Sequence, residues 1–535
     1  MSLNWRCAVA AILAVGIWLA AQSAEATDYF VTIGGGYSPA GNQASLEANV
    51  LFYQRILREK HPGPRVHDIF FADGMDPGHD LQVEAESDQP VRPAMELIAA
   101  LHRRGGPAAK WIRNRNHEIP DIAGAIDPEL VRKAIERISQ KAKDGDRLIV
   151  YVTAHGDEAE EDDDPFNTSI SCWNEKEIRM SELTEWLDKL PEQMPVVMVM
   201  AQCYCGGFSQ TLFEGADPEN GVAKRTRVGF FAQQYDLPAA GCRPDIENDE
   251  EYSSYFWGAL IGQSRTGKPM PGCDADGNGR VSFDEAHAQA LIAARTVDIS
   301  LKTSDVLVRT VSRIPNYTLA AETARWLNSD RSEDEPEAPD ATPADANLLR
   351  MKGPVEELLK GTSPATRRVV VELGRELELP MTVDVTQVLG ALQKHRVNRP
   401  LERGGGAQGR GPGRRSNSGR RELLAEVAEK WPELGDPEAW EKSELLKSDD
   451  QLALLQEIEA LPGYAKYKER REAREKQAQA VDEHELRGVK YRRLVDTLES
   501  IVLAKNLRRI GTAEEIAGYE RLRRLEGSEL TPKSR

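Results

Sequence analysis

The sequence predicts an α/β fold organised on a mainly parallel sheet, followed by an all-helical C-terminal region, and three observations carry that expectation. Short apolar runs at residues 29–33 (YFVTI), 66–71, 148–152 (LIVYV), 196–200 (VVMVM) and 228–233 recur with helical patterns between them, the alternation of a parallel sheet with crossover helices. The runs 148–152 and 196–200 are continuously apolar, as strands covered on both faces are. From Glu422 to about Leu525, leucines recur three and four apart among Glu, Lys and Arg, with Trp431 and Trp440, which is the period of packed helices.

Composition narrows the function. A chain of 535 residues that is 40% hydrophobic and 29% charged is ordinary globular material with room for several domains. A net charge of −18 excludes a general nucleic-acid binder, because no basic excess exists to neutralise phosphates; protein substrates or cations are the partners it suits. Arg6, the apolar residues 7–21 and Ala24-Glu25-Ala26 read as a secretory signal peptide over 1–26, and so as a secreted or periplasmic protein. The apolar run is shorter than the roughly 18–20 residues a bilayer span needs, and no later segment is apolar enough, so no membrane span is expected after signal removal. The exported chain would keep Cys172, Cys203, Cys205, Cys242 and Cys273, an odd count that suits one free thiol plus disulfide bridges.

In order, residues 29–33 form a strand, the glycines at 34–36 turn the chain, and Leu46, Val50, Tyr53 and Leu57 lie on one face of a helix. The glycines lack phosphate-cradling spacing, which argues against a nucleotide. After the strand at 66–71, residues 73–124 read as an irregular insertion, the kind of long loop that is usually functional. Asp127-Pro128 opens a helix with Val131, Ile135 and Ile138 inward, and the strand at 148–152 runs into His155-Gly156. Seven acids in residues 157–164 follow, read as a solvated loop, a cation site or a lure for basic substrates. An edge segment is expected at 168–173, a helix at 182–190 capped by Ser181, the strand at 196–200, and an amphipathic aromatic helix at 252–261. Beyond come an acidic linker (329–347), a short helical segment (348–400), a Gly/Arg linker (401–421) and a helical C-terminal domain (422–535), a candidate partner-binding or autoinhibitory module.

Two parallel strands ending at His155 and at Cys203 would set an imidazole beside a thiol. A thiol is a weak nucleophile at its free pKa and is made reactive by a neighbouring base. Cys205 is the alternative nucleophile, since AQCYCGGF offers two thiols. Zinc held by His155 and the cysteines would need four converging ligands without a CxxC pair.

Strand-His-Gly followed some fifty residues later by strand-Cys-x-x-Gly resembles the caspase-type cysteine peptidases, and AQCYCGGF is closest to their legumain branch. The resemblance spans roughly residues 28–295 and implies a caspase-like three-layer sandwich over about 27–328. It implies a catalytic His155, a Cys203 nucleophile, and an oxyanion hole of Gly156 and Cys203 backbone N–H groups. Gln43-Ala44 matches a Gln-Ala pair on the family's first helix, and residues 233–241 occupy the place of part of its specificity pocket. Gly41-Asn42 replaces the family's basic residue and Tyr204 its acidic one, leaving cleavage after Asn and cleavage after Lys or Arg both open. The alternative is a catalytically silent caspase-like calcium-binding scaffold.

Residues 274–285 carry the sharpest local motif. Asp274, Asp276, Asn278, Ser282 and Glu285 place oxygens at positions one, three, five, nine and twelve, Gly279 stands at six, and Arg280 offers its carbonyl at seven. This is the EF-hand calcium loop, with Ca²⁺ in a structural role. Pro269 and Pro271 preclude an ordinary entering helix, Asp284 is expected outside the ligand set, and extracellular modules of this kind bind at about 10⁻⁴–10⁻³ M.

Overall fold

Strands covered on both faces form the centre of the protein, which is described by a computed structural model over residues 26–61, 65–85, 93–102, 111–160, 164–241, 251–312, 348–395, 418–436, 439–440, 443–447 and 451–530. Residues 1–25 of the expected signal peptide, Cys242, residues 161–163, the acidic stretch 329–347 and residues 401–417 of the Gly/Arg stretch lie outside the described residues. In chain order the first elements are β1 (Asp28–Gly35), α1 (Ala44–Lys60), β2 (Arg65–Phe71), β3 (Leu81–Ala85), α2 (Pro93–His102), β4 (Trp111–Arg115) and α3 (Pro128–Lys141). Next come β5 (Arg147–Ala154), β6 (Gly156–Asp157), β7 (Ser169–Cys172), β8 (Lys176–Arg179), α4 (Met180–Asp188), β9 (Val196–Met200), β10 (Arg227–Phe231), α5 (Tyr252–Ala259), α6 (Phe283–Ala293), β11 (Leu301–Lys302) and α7 (Thr303–Thr310).

The fold is α/β with a mainly parallel six-stranded sheet in the order β11-β10-β9-β5-β1-β2. Each neighbouring pair is parallel except β10 with β11. All residues of β1, β5, β9 and β10 are buried, which is why their sequences are apolar without alternation. The chain leaves β1 outward to β2 and returns to β5 on the other side, so strand order reverses between β1 and β5. Ligands collect at the carboxyl ends of strands at such a reversal.

Local chemistry explains the helices around the sheet. The Asp127 carboxylate accepts from the Glu129 and Leu130 N–H groups, Pro128 starts α3, and Val131, Ala134, Ile135 and Ile138 form its buried stripe. On α1 the expected face is buried at Leu46, Val50, Tyr53 and Leu57. Ser181 is not a cap: α4 begins at Met180, Arg179 is its N-cap residue, and the Ser181 N–H is taken by Asn167. Nor is α5 amphipathic, since of its eight residues all but Tyr255 are buried; the helix fills the core under the sheet. Residues 169–172 are not an edge either, because β7 is the middle strand of a second sheet, β6-β7-β8.

The insertion at 73–124 is more ordered than its composition suggests. It holds the β3–β4 hairpin and α2, whose Ala94, Leu97, Ile98 and Leu101 pack against Leu423, Val427, Leu454 and Ile458 of the C-terminal helices. Burying a large aliphatic side chain stabilises by about 1.5–3 kcal/mol, so the insertion serves as the seat for that region. The longer helices that follow are α8 (Pro364–Glu376), α9 (Val385–Lys394), α10 (Ser418–Lys430), α11 (Gln451–Glu459), α12 (Pro462–Ile510) and α13 (Ala513–Glu526). On α12, Tyr491, Leu494, Val495 and Leu498 pack on Val369, Val370 and Leu373 of α8 and on Val385 and Val388 of α9. Leu522 and Leu530 then enter the main core beside the sheet. The C-terminal helices therefore close back onto the α/β part.

Disulfide bridges are not formed by Cys172, Cys203, Cys205 or Cys273, all of which are free thiols. Cys203 and Cys205, two residues apart, point at different backbones, at Ala239 and Gln233 respectively, which keeps them from pairing.

Candidate active site

β5 and β9 run parallel with Val152 facing Met200, and three residues beyond each come His155 and Cys203. The register thus delivers an imidazole and a thiol to adjacent positions at the carboxyl end of the sheet, next to the β1/β5 reversal. A Cβ on Gly156 would stand 2.4 Å from the Cys203 carbonyl oxygen and 2.7 Å from the Gln202 Cγ. The two backbones touch there, and only glycine fits. Beyond the thiol, Tyr204 adopts left-handed φ of 57°, and a Cβ on Gly207 would lie 2.3 Å from the Thr168 Oγ1, so the turn needs its small residues.

The imidazole is held from the β1 side. His155 Nε2 lies 2.8 Å from the Gly41 carbonyl oxygen and 3.0 Å from the Gln43 Oε1, and Tyr37 packs edge-on at 5.3 Å. Two acceptors around Nε2 place the proton on that nitrogen and leave Nδ1 as the lone-pair acceptor. Burial lowers the His155 pKa, against the opposing effects of the Gly41 bond and Asp157, so the ring is a neutral base near pH 7.

The thiol is held from the other side. Cys203 Sγ accepts the Ala239 N–H at 3.3 Å, faces the Ala239 carbonyl at 3.7 Å, and forms no hydrogen bond with His155. Burial raises its pKa, with the Ala239 bond lowering it and Asp298 and Asp157 raising it. The resting pair is therefore neutral thiol and neutral imidazole. Cys205 is fully buried between the Gln233 N–H at 3.3 Å and its carbonyl at 3.5 Å, and burial pushes its thiol well up. It has no face open to a substrate.

Two backbone donors flank the thiol. The Ser171 N–H bonds the His155 carbonyl while Gly156 pairs with Ile170, so Gly156 occupies a non-hydrogen-bonded position and its N–H points away from β7. The Cys203 N–H donates to no carbonyl among the described residues. Of the acidic run, Asp157 accepts from Ser171 and Glu160 pairs with Arg179.

Asp274, Asp276 and Glu285 each bring one carboxylate oxygen within 4.8 Å of the others, at a loop that turns at Gly279 with φ of 84°. Glu285 accepts from the Ala275 and Ser282 N–H groups, Asn278 from the Arg280 N–H, and Ser282 caps α6. Asp274, Asp276 and Glu285 could hold a metal ion. Asp284 is turned away, paired with Lys302 and Arg523. Pro269 bridges Gln263, and no helix enters the loop.

Asp298 escaped the reading of the sequence as a site residue, while Ala239 had entered only within the pocket stretch 233–241 and Gly41 only as replacing a basic residue. Gly41 and Ala239 act through backbone groups that leave no trace in side-chain identity, and Asp298 lies in a loop without a motif; Gln43 had appeared only as part of a matching pair.

No protein-family model matches the chain, and no curated protein is similar to it. Among solved structures, the chain is similar to protein GSU0716 from Geobacter sulfurreducens, at 11% identity and a TM-score of 0.29, covering 52% of this chain and 93% of that one.

Proposed function

We propose that the protein is an exported cysteine endopeptidase of caspase-like, legumain-type architecture, a three-layer sandwich that cuts peptide bonds with a Cys203–His155 dyad. The observation that carries this reading is the β5/β9 register, which places the imidazole and the thiol side by side next to two uncommitted N–H donors. In the proposed reaction the thiol turns from Ala239 to His155, and Nδ1 takes its proton as sulfur attacks the scissile carbonyl. The Gly156 and Cys203 N–H groups receive the oxyanion. His155 returns the proton to the leaving amine, and water, deprotonated by the same imidazole, hydrolyses the thioester and restores the thiol. Cleavage after Asn and cleavage after Lys or Arg are both retained as proposals for specificity, and a structural Ca²⁺ at residues 274–285 as a proposal for the second site.

The silent-scaffold reading has one observation in its favour, the thiol's bond to Ala239 in place of His155. A peptide-library digest by the full-length protein separates the two. Cleavage is expected, lost in Cys203→Ala and kept in Cys205→Ala. Cleavage that persists in Cys203→Ala overturns the dyad, and a library left intact by wild type favours the scaffold.

A further inference from the structure

We propose that the long C-terminal helix α12 is a working part of the thiol site, acting through Arg493 as a positioning residue for the loop that holds Cys203; this rests on the peptidase reading of that site. Arg493 is 1% exposed. Its Nε and Nη2 donate to the Asp298 carbonyl at 2.9 and 2.7 Å, Nη1 to the Leu291 and Ala294 carbonyls at 3.1 and 2.7 Å, and Nη2 also to the Thr296 carbonyl at 3.1 Å. Leu291 and Ala294 lie at the end of α6, where carbonyls lack helical partners and the helix dipole is negative. Among the described residues no carboxylate accepts a hydrogen bond from this guanidinium, and its five bonds all go to backbone carbonyls of residues 291–298.

That backbone in turn carries the wall of the site. The Asp298 carboxylate, 1% exposed, accepts the Ala240 N–H on Oδ1 and the Thr296 hydroxyl on Oδ2, both at 2.8 Å. One residue earlier, the Ala239 N–H reaches the Cys203 sulfur, and the Leu237 carbonyl accepts the Tyr204 N–H at 3.0 Å. A second strut runs from the Ile299 N–H to the Gln233 Oε1 at 3.0 Å. The path from α12 to the thiol is therefore Arg493, the Asp298 backbone and carboxylate, Ala240, Ala239 and sulfur. Lysine cannot replace this arginine, because a point charge with three donors does not span four carbonyls in a plane. An autoinhibitory C-terminal region would act with the opposite sign, since loosening it would free the site.

The test is the pH dependence of iodoacetamide alkylation at Cys203, read by peptide mass mapping on full-length protein, with Cys203→Ala as the blank and circular dichroism as the check of fold. The titratable groups acting on the thiol are Asp298, Asp157 and Cys205, with His155 at the end of the neighbouring strand. Arg493→Met and Arg493→Lys should both move the midpoint up by roughly one pH unit, about tenfold slower labelling at pH 7, because sulfur loses the Ala239 donor. Asp298→Asn keeps an acceptor for Ala240 but removes a negative charge, and should move the midpoint down. A wild-type midpoint in folded Arg493→Met, or faster labelling than wild type, overturns the proposal. Should Arg493→Met not fold, an unshifted Asp298→Asn overturns it instead. Alkylation needs no substrate, so failure of wild type to cut peptides removes the peptidase reading while leaving this outcome legible.

Discussion

The two ends of the central sheet are built from opposite chemistry. At the amino end, the Asp28 carboxylate takes Arg147 at 3.1 and 2.6 Å and His61 at 2.7 Å, and the rest of the Arg147 guanidinium donates to the carbonyls of Glu529 and Leu530. Burial alone would raise the Asp28 pKa, but His61 and Arg147 outweigh it and lower it. At the carboxyl end, among the described residues, the Gly156 and Cys203 N–H groups and Nδ1 of His155 have no hydrogen-bond partner, and neither has either amide atom of the fully buried Gln202. An unmatched buried polar group costs about 1–3 kcal/mol. The amino end uses its charges to hold strands and residues 529–530 together, with His61 Nδ1 left unmatched; the carboxyl end leaves the whole Gln202 amide unmatched.

The sharpest way to break that contrast is to swap the consequences. His155→Ala should cut kcat/KM on any cleaved peptide by roughly 10³-fold or more and leave the melting temperature nearly unchanged, since only Gly41 and Gln43 lose a partner. Arg147→Met strands a buried carboxylate and should cost about 3–5 kcal/mol of stability with kcat per folded molecule intact. Urea unfolding and active-site titration of both variants measure this. If Arg147→Met loses turnover more than stability, the division between the ends fails.

Acid sharpens the comparison next. His287 is buried in α6, its Nδ1 2.8 Å from the Tyr252 hydroxyl. Burial first, then the charge of Lys302, holds its pKa at about 3. The unfolded chain protonates this ring below about 6.5 while the folded chain does not until about 3, so stability falls as pH drops through that window, by about 5 kcal/mol in full. His67, held at about 4 by burial and Arg65, adds in the same direction. Denaturant titrations between pH 4 and 7 should show this slope in wild type and a shallower one in His287→Phe; equal slopes would assign the acid sensitivity elsewhere.

How much of this was legible in the sequence depends on which atoms do the work. The strands at 148–152 and 196–200 could be read because burial on both faces demands unbroken apolar residues, and that same reading put His155 and Cys203 at adjacent strand ends. The helix within 73–124 was missed because its apolar face is matched by Leu423 and Val427, hundreds of residues away; the β3–β4 strands were missed although Leu81 packs on the nearby Leu46, Val50 and Phe71. Ser181 looked like a cap by residue type, yet the Asn167 side chain captures its N–H from across the chain. The hold on the thiol was invisible in principle, since the Ala239 and Ala240 N–H groups are the same in any residue but proline.

The smallest expected effect, calcium, joins the comparison because its loop is tied to the amino end. Arg280 bonds the Glu529 carboxylate at 2.6 Å, and the Phe283 N–H bonds the Ser528 carbonyl at 3.0 Å, while Glu529 and Leu530 offer the carbonyls that receive Arg147. A cation drawing Asp274, Asp276 and Glu285 together therefore steadies directly the segment that seals the amino end, and reaches Cys203 only along the length of α6 and through Arg493. A ligand that binds only the folded state stabilises by RT ln(1 + [L]/Kd), about 2.7 kcal/mol at 100 times Kd. Chelation should lower the melting temperature, Glu285→Gln should abolish the response to added calcium, and the pH midpoint of Cys203 alkylation should stay where it was. A melting temperature indifferent to calcium, in protein first shown to be ion-free, would reduce the loop to a polar turn, whereas a shifted alkylation midpoint would show that the two ends of the sheet are coupled after all.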